Sequence, residues 1–181
     1  MQFNLAIPDM PEITTETKRV FQGTTITACM PICVEISLRT VEGDQMILEY
    51  WCLDLLPDQI DTSVSVMPTV YNRYGVLLKS LLSVTRVTPA YKLSRRQGPD
   101  SYVICYRVHV GGPQLHMLGD GYKEVKVGQI CTPVGTVRLT LSYRTKMMIS
   151  PTQTGKENVI MLKSDHFNTN LSPRHARYKE G

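Results

Sequence analysis

Two alternating runs around a short turn are the feature that most limits how this chain can fold. Across residues 31–41, apolar and mostly polar side chains alternate, and residues 45–53 alternate in the same way. The segment between them, Glu42-Gly43-Asp44, has the composition of a tight turn. Alternation over this length is typical of half-buried strands, so the pattern predicts a β-hairpin. In its first strand one face is aliphatic, with Ile32, Val34, Ile36 and Leu38, and the other carries Cys33, Glu35, Ser37 and Arg39.

The hydrophobic period changes after the hairpin. A polar, turn-rich stretch, 57–68, predicts a loop, and residues 69–93 then place apolar side chains three and four positions apart. That spacing predicts a long amphipathic helix. Pro89 should end or kink this helix, because the residue before a proline avoids the helical region.

Strand patterns return in the second half of the chain. Alternation predicts strands over 101–110 and 136–145, and shorter apolar stretches predict strands over 124–127 and 159–162. Before the hairpin, Pro11 and Gly23 frame a short amphipathic segment over 11–22 that predicts a helix. This order predicts an α+β fold with a largely antiparallel sheet covered on one face by the long helix.

Composition places the chain among single-domain globular proteins. Its 181 residues carry a formal net charge of +4, with 42% hydrophobic and 20% charged residues. These values exclude wholesale disorder. The sequence also lacks the dense cationic stripe of a dedicated nucleic-acid binder. A domain is expected over residues 1–167. The polar, basic stretch 168–181 has no periodicity and predicts the start of a disordered tail.

Cysteine usage predicts reduced thiols in a reducing compartment. The nearest pair in sequence, Cys29 and Cys33, would lie about 13 Å apart on a strand, beyond disulfide reach. The four histidines lie at no zinc-like spacing from the cysteines, so no metal site is expected. The full cysteine set is Cys29, Cys33, Cys52, Cys105 and Cys131.

Residues 1–11 lack the pattern of a signal peptide, and charges interrupt the apolar helix pattern over 70–87. Cytoplasmic localisation is therefore the expectation.

No stretch has the pattern of a catalytic or cofactor site. Gly155-Lys156 lacks the other residues of a phosphate-binding loop. His109 is interpreted as a half-exposed strand histidine, since no nucleophile or orienting acid is indicated beside it. A small hydrolase using His109 or His116 is the weakest alternative. The expectation is a protein with no catalytic residues and no cofactor.

One cationic cluster stands out around Pro89. Within eleven residues without an acidic side chain lie Arg86, Lys92, Arg95 and Arg96. Arginine forks suit phosphate and carboxylate groups, so this cluster is a candidate anion site. The alternative is a solvated helix end whose cations offset the helix dipole.

Two residues near the start of the long helix, Tyr71 and Arg73, are candidates for a protein interface, because Tyr and Arg are enriched at binding hot spots. A core tyrosine and a surface arginine are the alternative. Trp51, in a predicted strand, is expected in the core. The Ser150-Pro151 and Ser172-Pro173 dipeptides would suit a proline-directed kinase.

Several segments resemble the HORMA domain of the autophagy-related protein 13 family. They are FNLAIPDMPEIT, CVEISLRTVEGD, YWCLDL, TVYNRYGVLLKSLLSVTRVTPAYKLSRRQG and TPVGTV. The resemblance runs from Phe3 to about Phe167. It implies a sheet backed by a long helix and closed by a C-terminal safety belt.

The resemblance also implies a non-catalytic scaffold in the kinase complex that initiates autophagy. The implied HORMA partner is autophagy-related protein 101. The resemblance also implies a role in recruiting the vesicle scramblase and the phosphatidylinositol 3-kinase complex. The implied place of action is the cytoplasm and the phagophore assembly site, with indirect membrane association and no nucleic acid. The competing hypothesis is a module that binds anionic lipid or a phosphorylated partner through the basic cluster.

Residue roles follow from the same resemblance. HORMA dimers use the long helix, which implies a partner interface at Tyr71, Arg73, Tyr74 and Arg86. An arginine-lined anion pocket implies Arg86, Lys92, Arg95 and Arg96, joined by Arg144 from the belt. Family members usually carry a helix before the FNLAI segment and a long disordered C-terminal region, and this sequence is expected to lack both.

Overall fold

The described part of the chain is an antiparallel sheet with α-helices on one face and a short 3₁₀ helix on the other. A computed structural model describes residues 8–21, 30–63 and 66–147, without the side chains of 66–68. Three α-helices are α1 (Pro11–Phe21), α2 (Val66–Thr85) and α3 (Pro89–Ser94). The strands are β1 (Ile32–Thr40), β2 (Gln45–Leu56), β3 (Tyr102–Val110), β4 (Lys123–Thr132) and β5 (Gly135–Tyr143), and a 3₁₀ helix covers Leu115–Leu118.

The five strands lie in the order β3-β1-β2-β5-β4, and all neighbours are antiparallel. The predicted hairpin is confirmed as β1 and β2, and the predicted helix at 11–22 is confirmed as α1. An extra residue, Leu48, shifts the β1–β2 register between Ile36 and Ser37. This bulge changes which side chains lie opposite one another beyond it.

The long helical pattern is divided in two, as Pro89 predicted. α2 ends at Thr85, and Pro89 begins the separate helix α3. At the other end, α2 starts at Val66, inside the stretch predicted as loop. Pro68 is compatible with this start. N–H groups in the first turn of an α-helix have no acceptor within the helix, so the N–H that proline lacks costs no hydrogen bond there.

Both faces of the sheet are covered, although the sequence predicted cover on one face. Buried Trp51 and Glu49 lie on the helix side, where α3 packs against β2 and β3. The other face holds a cluster of Cys33, Ile47, Tyr50, Cys52 and Leu118. Leu118 comes from the 3₁₀ helix, which the sequence did not predict. The prediction that Trp51 belongs to the core is confirmed.

The expectation of reduced thiols is wrong for two cysteines. Cys33 and Cys52 form a disulfide across β1 and β2, with their Cα atoms 4.3 Å apart. This separation is that of a non-hydrogen-bonded antiparallel pair, the closest pairing in a sheet. Cys105 and Cys131 are free, and Cys29 lies outside the described residues.

β4 is longer than the strand predicted over 124–127. Its register shifts between Lys126 and Gly128, which interrupts the alternation that the prediction followed. A Cβ on Gly128 would lie 2.7 Å from the Leu77 Cδ1 atom, so the glycine lets α2 approach β4 closely. The bulge and the glycine together seat α2 over this edge of the sheet.

Every element above belongs to the compact unit Met1–Arg144. The second unit, Thr145–Gly181, contains the predicted strand 159–162 and the predicted tail from 168. These predictions lie outside the described residues, as do Ser150 and Ser172.

Candidate interaction surfaces

α2 has one side on the sheet and one side in solvent. Leu77 is buried against Gly128 of β4. On an adjacent side of the helix, three large side chains at helical spacing are exposed, by 72% for Tyr71, 42% for Tyr74 and 45% for Leu78. They line a shallow pocket of about 390 Å³. These three residues form what we call the α2 stripe.

Arg73 does not join the α2 stripe. Its Nη1 donates to the Cys131 carbonyl at 3.0 Å and lies 3.8 Å from Asp61 Oδ2. Ser63 donates from both its N–H and its hydroxyl to Asp61 Oδ1, and these bonds lower the pKa of Asp61. The arginine therefore ties α2 to the end of β4, whereas the two tyrosines are exposed.

A buried carboxylate holds α3 on the sheet. Glu49 is 1% exposed, and its Oε1 accepts the Ala90 N–H at 2.7 Å while its Oε2 accepts Trp51 Nε1 at 3.0 Å. Burial raises the pKa of Glu49, although hydrogen bonds from Ala90, Trp51 and Thr88 oppose the rise. The Tyr102 hydroxyl donates to the Leu93 carbonyl at 3.0 Å and fixes the other end of the helix.

The candidate anion cluster lies on and beside α3. Arg95 lies over the Tyr91 ring, 6.0 Å from its centroid, a cation–π geometry that orients the guanidinium. All four side chains of the cluster are exposed, namely Arg86, Lys92, Arg95 and Arg96. Lys92 lies in α3 and Arg95 caps its C-terminal end, whereas Arg86 and Arg96 lie in the segments on either side of the helix.

Arg144 lies away from this cluster, on the other face of the sheet. Its Nε donates to the Ile47 carbonyl at 2.8 Å and its Nη2 donates to the Met117 carbonyl at 2.6 Å. Burial lowers its pKa. Gly119 adopts a positive φ of 73°, and a Cβ there would lie 3.0 Å from the Arg144 guanidinium. Arg144 therefore anchors the 3₁₀ segment instead of completing an anion pocket with α3.

The polar face of β1 contains buried ionisable groups. Arg107 Nη2 donates to Glu35 Oε2 at 2.8 Å. Burial raises the pKa of Tyr50 to about 12, and the charge of Glu35 adds to the rise. His109 packs edge-on against Tyr50 with ring centroids 6.5 Å apart, and its Nε2 has no hydrogen-bond partner. His109 is therefore a packed strand histidine.

Two further searches covered the described residues. No cluster of three or more His, Cys, Asp or Glu side chains there is arranged to hold a metal ion. None of the described helices combines the length and apolarity needed to cross a membrane.

The described residues combine a covered sheet with exposed aromatic and cationic side chains on its helical layer. A family model described as autophagy-related protein 13 matches residues 34–148. The chain belongs to the autophagy-related protein 13 family, whose members are non-catalytic adaptor proteins of autophagy.

Relatives agree with this assignment. The autophagy-related protein 13 homolog of Drosophila melanogaster is 52% identical, over 91% of this chain and 35% of that protein. Autophagy-related protein 13 of Homo sapiens is 47% identical over 91% of this chain and 32% of its own length. The chain thus spans about a third of the length of the curated relatives it matches.

Solved structures with some likeness include an Atg13 HORMA domain. It is 17% identical with a TM-score of 0.41, over 64% of this chain and 75% of that chain. A chain of a mitotic checkpoint complex is 12% identical with a TM-score of 0.38, over 74% of this chain and 70% of that chain. The α+β prediction is confirmed by the architecture itself, a five-stranded antiparallel sheet with helices on it.

Proposed function

We propose that this chain is the HORMA interaction module of an autophagy-initiation scaffold and that its α2 stripe docks a second HORMA protein, autophagy-related protein 101. The α2 stripe carries the proposal, because Tyr71, Tyr74 and Leu78 expose a contiguous apolar and aromatic surface on a helix fixed to the sheet. Rigid aromatic anchors of this kind dominate the binding free energy of protein interfaces.

Arg86 extends this surface at the C-terminal end of α2. It follows the last helical residue and is exposed, so it is placed to contact an acidic group at the rim of the same interface. Arg73 supports the surface from behind through its bond to Cys131. The proposed assignment therefore separates contact residues from a residue that positions the helix.

The wider role follows from family membership. The module would act in the cytoplasm and at the phagophore assembly site, within the kinase complex that initiates autophagy. Docked to its HORMA partner, it would help recruit the vesicle scramblase and the phosphatidylinositol 3-kinase complex, and its contact with membranes would be indirect. The adaptor role of the family supports these proposals.

The docking proposal is tested with the double variant Tyr71→Asp and Leu78→Asp. Binding of the 181-residue chain to purified autophagy-related protein 101, measured by isothermal titration calorimetry, should weaken about thirtyfold or more. The fold should be unchanged, because both side chains are exposed. The matched control Tyr122→Asp changes an exposed tyrosine outside α2 and should bind like the parent chain. Equal affinities for all three proteins would contradict the proposal.

The α3 cluster supports a second candidate function, binding of anionic phosphate groups on lipids or partners. Arg95→Glu with Arg96→Glu should weaken flotation with phosphatidylserine vesicles about tenfold or more in salt-matched buffer, without changing behaviour toward neutral vesicles. The control Lys123→Glu with Lys126→Glu reverses two exposed cations on β4. If both double variants lose binding equally, general charge rather than the α3 cluster is responsible.

A further inference from the structure

A polar cavity lies on the sheet face that carries the 3₁₀ helix. Its volume is about 500 Å³, a size that accommodates a small ligand. β1, β2 and β3 all contribute lining side chains, and Met117 of the 3₁₀ helix borders it. Three of the lining residues carry a charge or a free thiol, namely Glu35, Arg107 and Cys105.

A buried hydroxyl at this cavity has no hydrogen-bond partner. Tyr50 is 1% exposed and is one of the lining residues. Burial and, to a smaller extent, the Glu35 carboxylate raise the pKa of Tyr50, which places its hydroxyl near that carboxylate. Among the described residues, however, none bonds to the hydroxyl with adequate geometry. A buried polar group left in this way costs free energy, so a ligand that bonds to it gains affinity.

The cavity presents both signs of charge. Arg107 Nη2 donates to Glu35 Oε2 at 2.8 Å, and the arginine side chain is 59% exposed whereas Glu35 is almost fully buried. A guanidinium has five N–H donors and a carboxylate has about four acceptor positions, so one mutual bond leaves capacity on both groups. A ligand that carries an ammonium group and a carboxylate matches this pair.

The thiol of Cys105 lies beside these charges. Cys105 is partly exposed and precedes Arg107 by two positions on β3, so both side chains are on the same face of the sheet. Sulfur adds a covalent partner to a site for a zwitterion, because an accessible thiol exchanges with disulfides. The other free cysteine of the described residues, Cys131, lies on β4 at the opposite edge of the sheet.

We propose that this cavity binds glutathione disulfide and that Cys105 forms a mixed disulfide with glutathione. An ammonium group of the ligand contacts Glu35 and the Tyr50 hydroxyl, and a carboxylate contacts Arg107. The Cys105 sulfur attacks one sulfur of the ligand as a thiolate, so a new S–S bond forms while the original one breaks. The second glutathione leaves as a thiolate and takes up the proton that Cys105 lost. Glutathione disulfide is itself the oxidant in this exchange.

The test incubates the 181-residue chain with excess glutathione disulfide and follows each cysteine by peptide mass spectrometry. Cys105 should be modified about tenfold faster than Cys131, because charged hydrogen bonds hold the reagent beside it. Hydroxyethyl disulfide lacks the ammonium and carboxylate groups, so it should modify the two cysteines at rates within about threefold of each other. Cys105→Ser should abolish the fast adduct, and the matched control Cys131→Ser should retain it.

Two further variants change the binding groups and keep the thiol. Tyr50→Phe removes the unpartnered hydroxyl and should slow the reaction of Cys105 with glutathione disulfide about threefold. Arg107→Lys keeps a positive charge beside Glu35 but loses the planar fork, and it should slow the same reaction about threefold. Neither variant should change the rate with hydroxyethyl disulfide, whereas a loss of folding would change both rates. The proposal is overturned if Cys105 forms no adduct, or if both reagents give the same ratio of Cys105 to Cys131 modification.

Discussion

Glu49→Ala is expected to destabilise the fold by about 3 kcal/mol or more. The substitution leaves two N–H donors without acceptors, those of Ala90 and Trp51, in a site that is 1% exposed. It also cuts the polar link between β2 and α3. Urea unfolding, followed by the fluorescence of Trp51, the single tryptophan, measures the change.

The matched control is Glu124→Ala, which makes the same chemical change at an exposed position of β4. Its free energy of unfolding should stay within about 0.5 kcal/mol of the parent value. Equal unfolding midpoints for the two variants would show that the Glu49 hydrogen bonds do not stabilise the fold.

The pH dependence of stability separates the charge of Glu49 from its shape. Burial raises its pKa above the ordinary value of 4.5, so the folded chain binds this proton more tightly than the unfolded chain. Its contribution to stability therefore increases as the pH falls from the raised pKa towards 4.5. Glu49→Gln lacks this titration. Its side-chain NH₂ group is a hydrogen-bond donor and would face one of the two N–H donors, that of Ala90 or that of Trp51. The stability difference between the parent chain and Glu49→Gln should widen as the pH falls towards 4.5.

Local patterns predicted most of the helices and strands. A helix or strand that packs on one side places apolar residues at a regular spacing, and that spacing is visible in the sequence. The hairpin followed from alternation around Gly43, which adopts a positive φ of 95° that suits glycine in a tight turn. The division at Pro89 followed from backbone sterics. The Cys33–Cys52 pairing did not follow, because a turn without a bulge places Trp51 opposite Cys33. The extra residue in β2 brings Cys52 there instead.

The sites show the same division between local and long-range information. Helical spacing put Tyr71 and Tyr74 on one helix, and the structure leaves both exposed. Arg73 was a candidate because Arg is enriched at binding hot spots, and Arg144 because of the family resemblance. Each bonds to a backbone carbonyl from a distant segment. The contact of α1 with β3 was not predicted, because Glu16 and Val108 are 92 residues apart and no local pattern links them.

Leu118→Ala is expected to cost about 3 kcal/mol of folding free energy. Leu118 is 1% exposed and is the residue with which the 3₁₀ helix enters the cluster around Tyr50 and Cys52. A single turn has little helical stability of its own, so this packing and the Arg144 bond to Met117 hold it in place. The cavity left by the substitution opens in the cluster that contains both disulfide cysteines. Thermal unfolding by circular dichroism measures the loss.

The matched control for this loss is Leu78→Ala, the same truncation at an exposed position of α2. It should change the free energy of unfolding by no more than about 0.5 kcal/mol, since little apolar surface returns to water. If Leu118→Ala unfolds like the control, the 3₁₀ helix is not an integral layer of the fold. In that case, the second face of the sheet is stabilised by the β1 and β2 side chains alone.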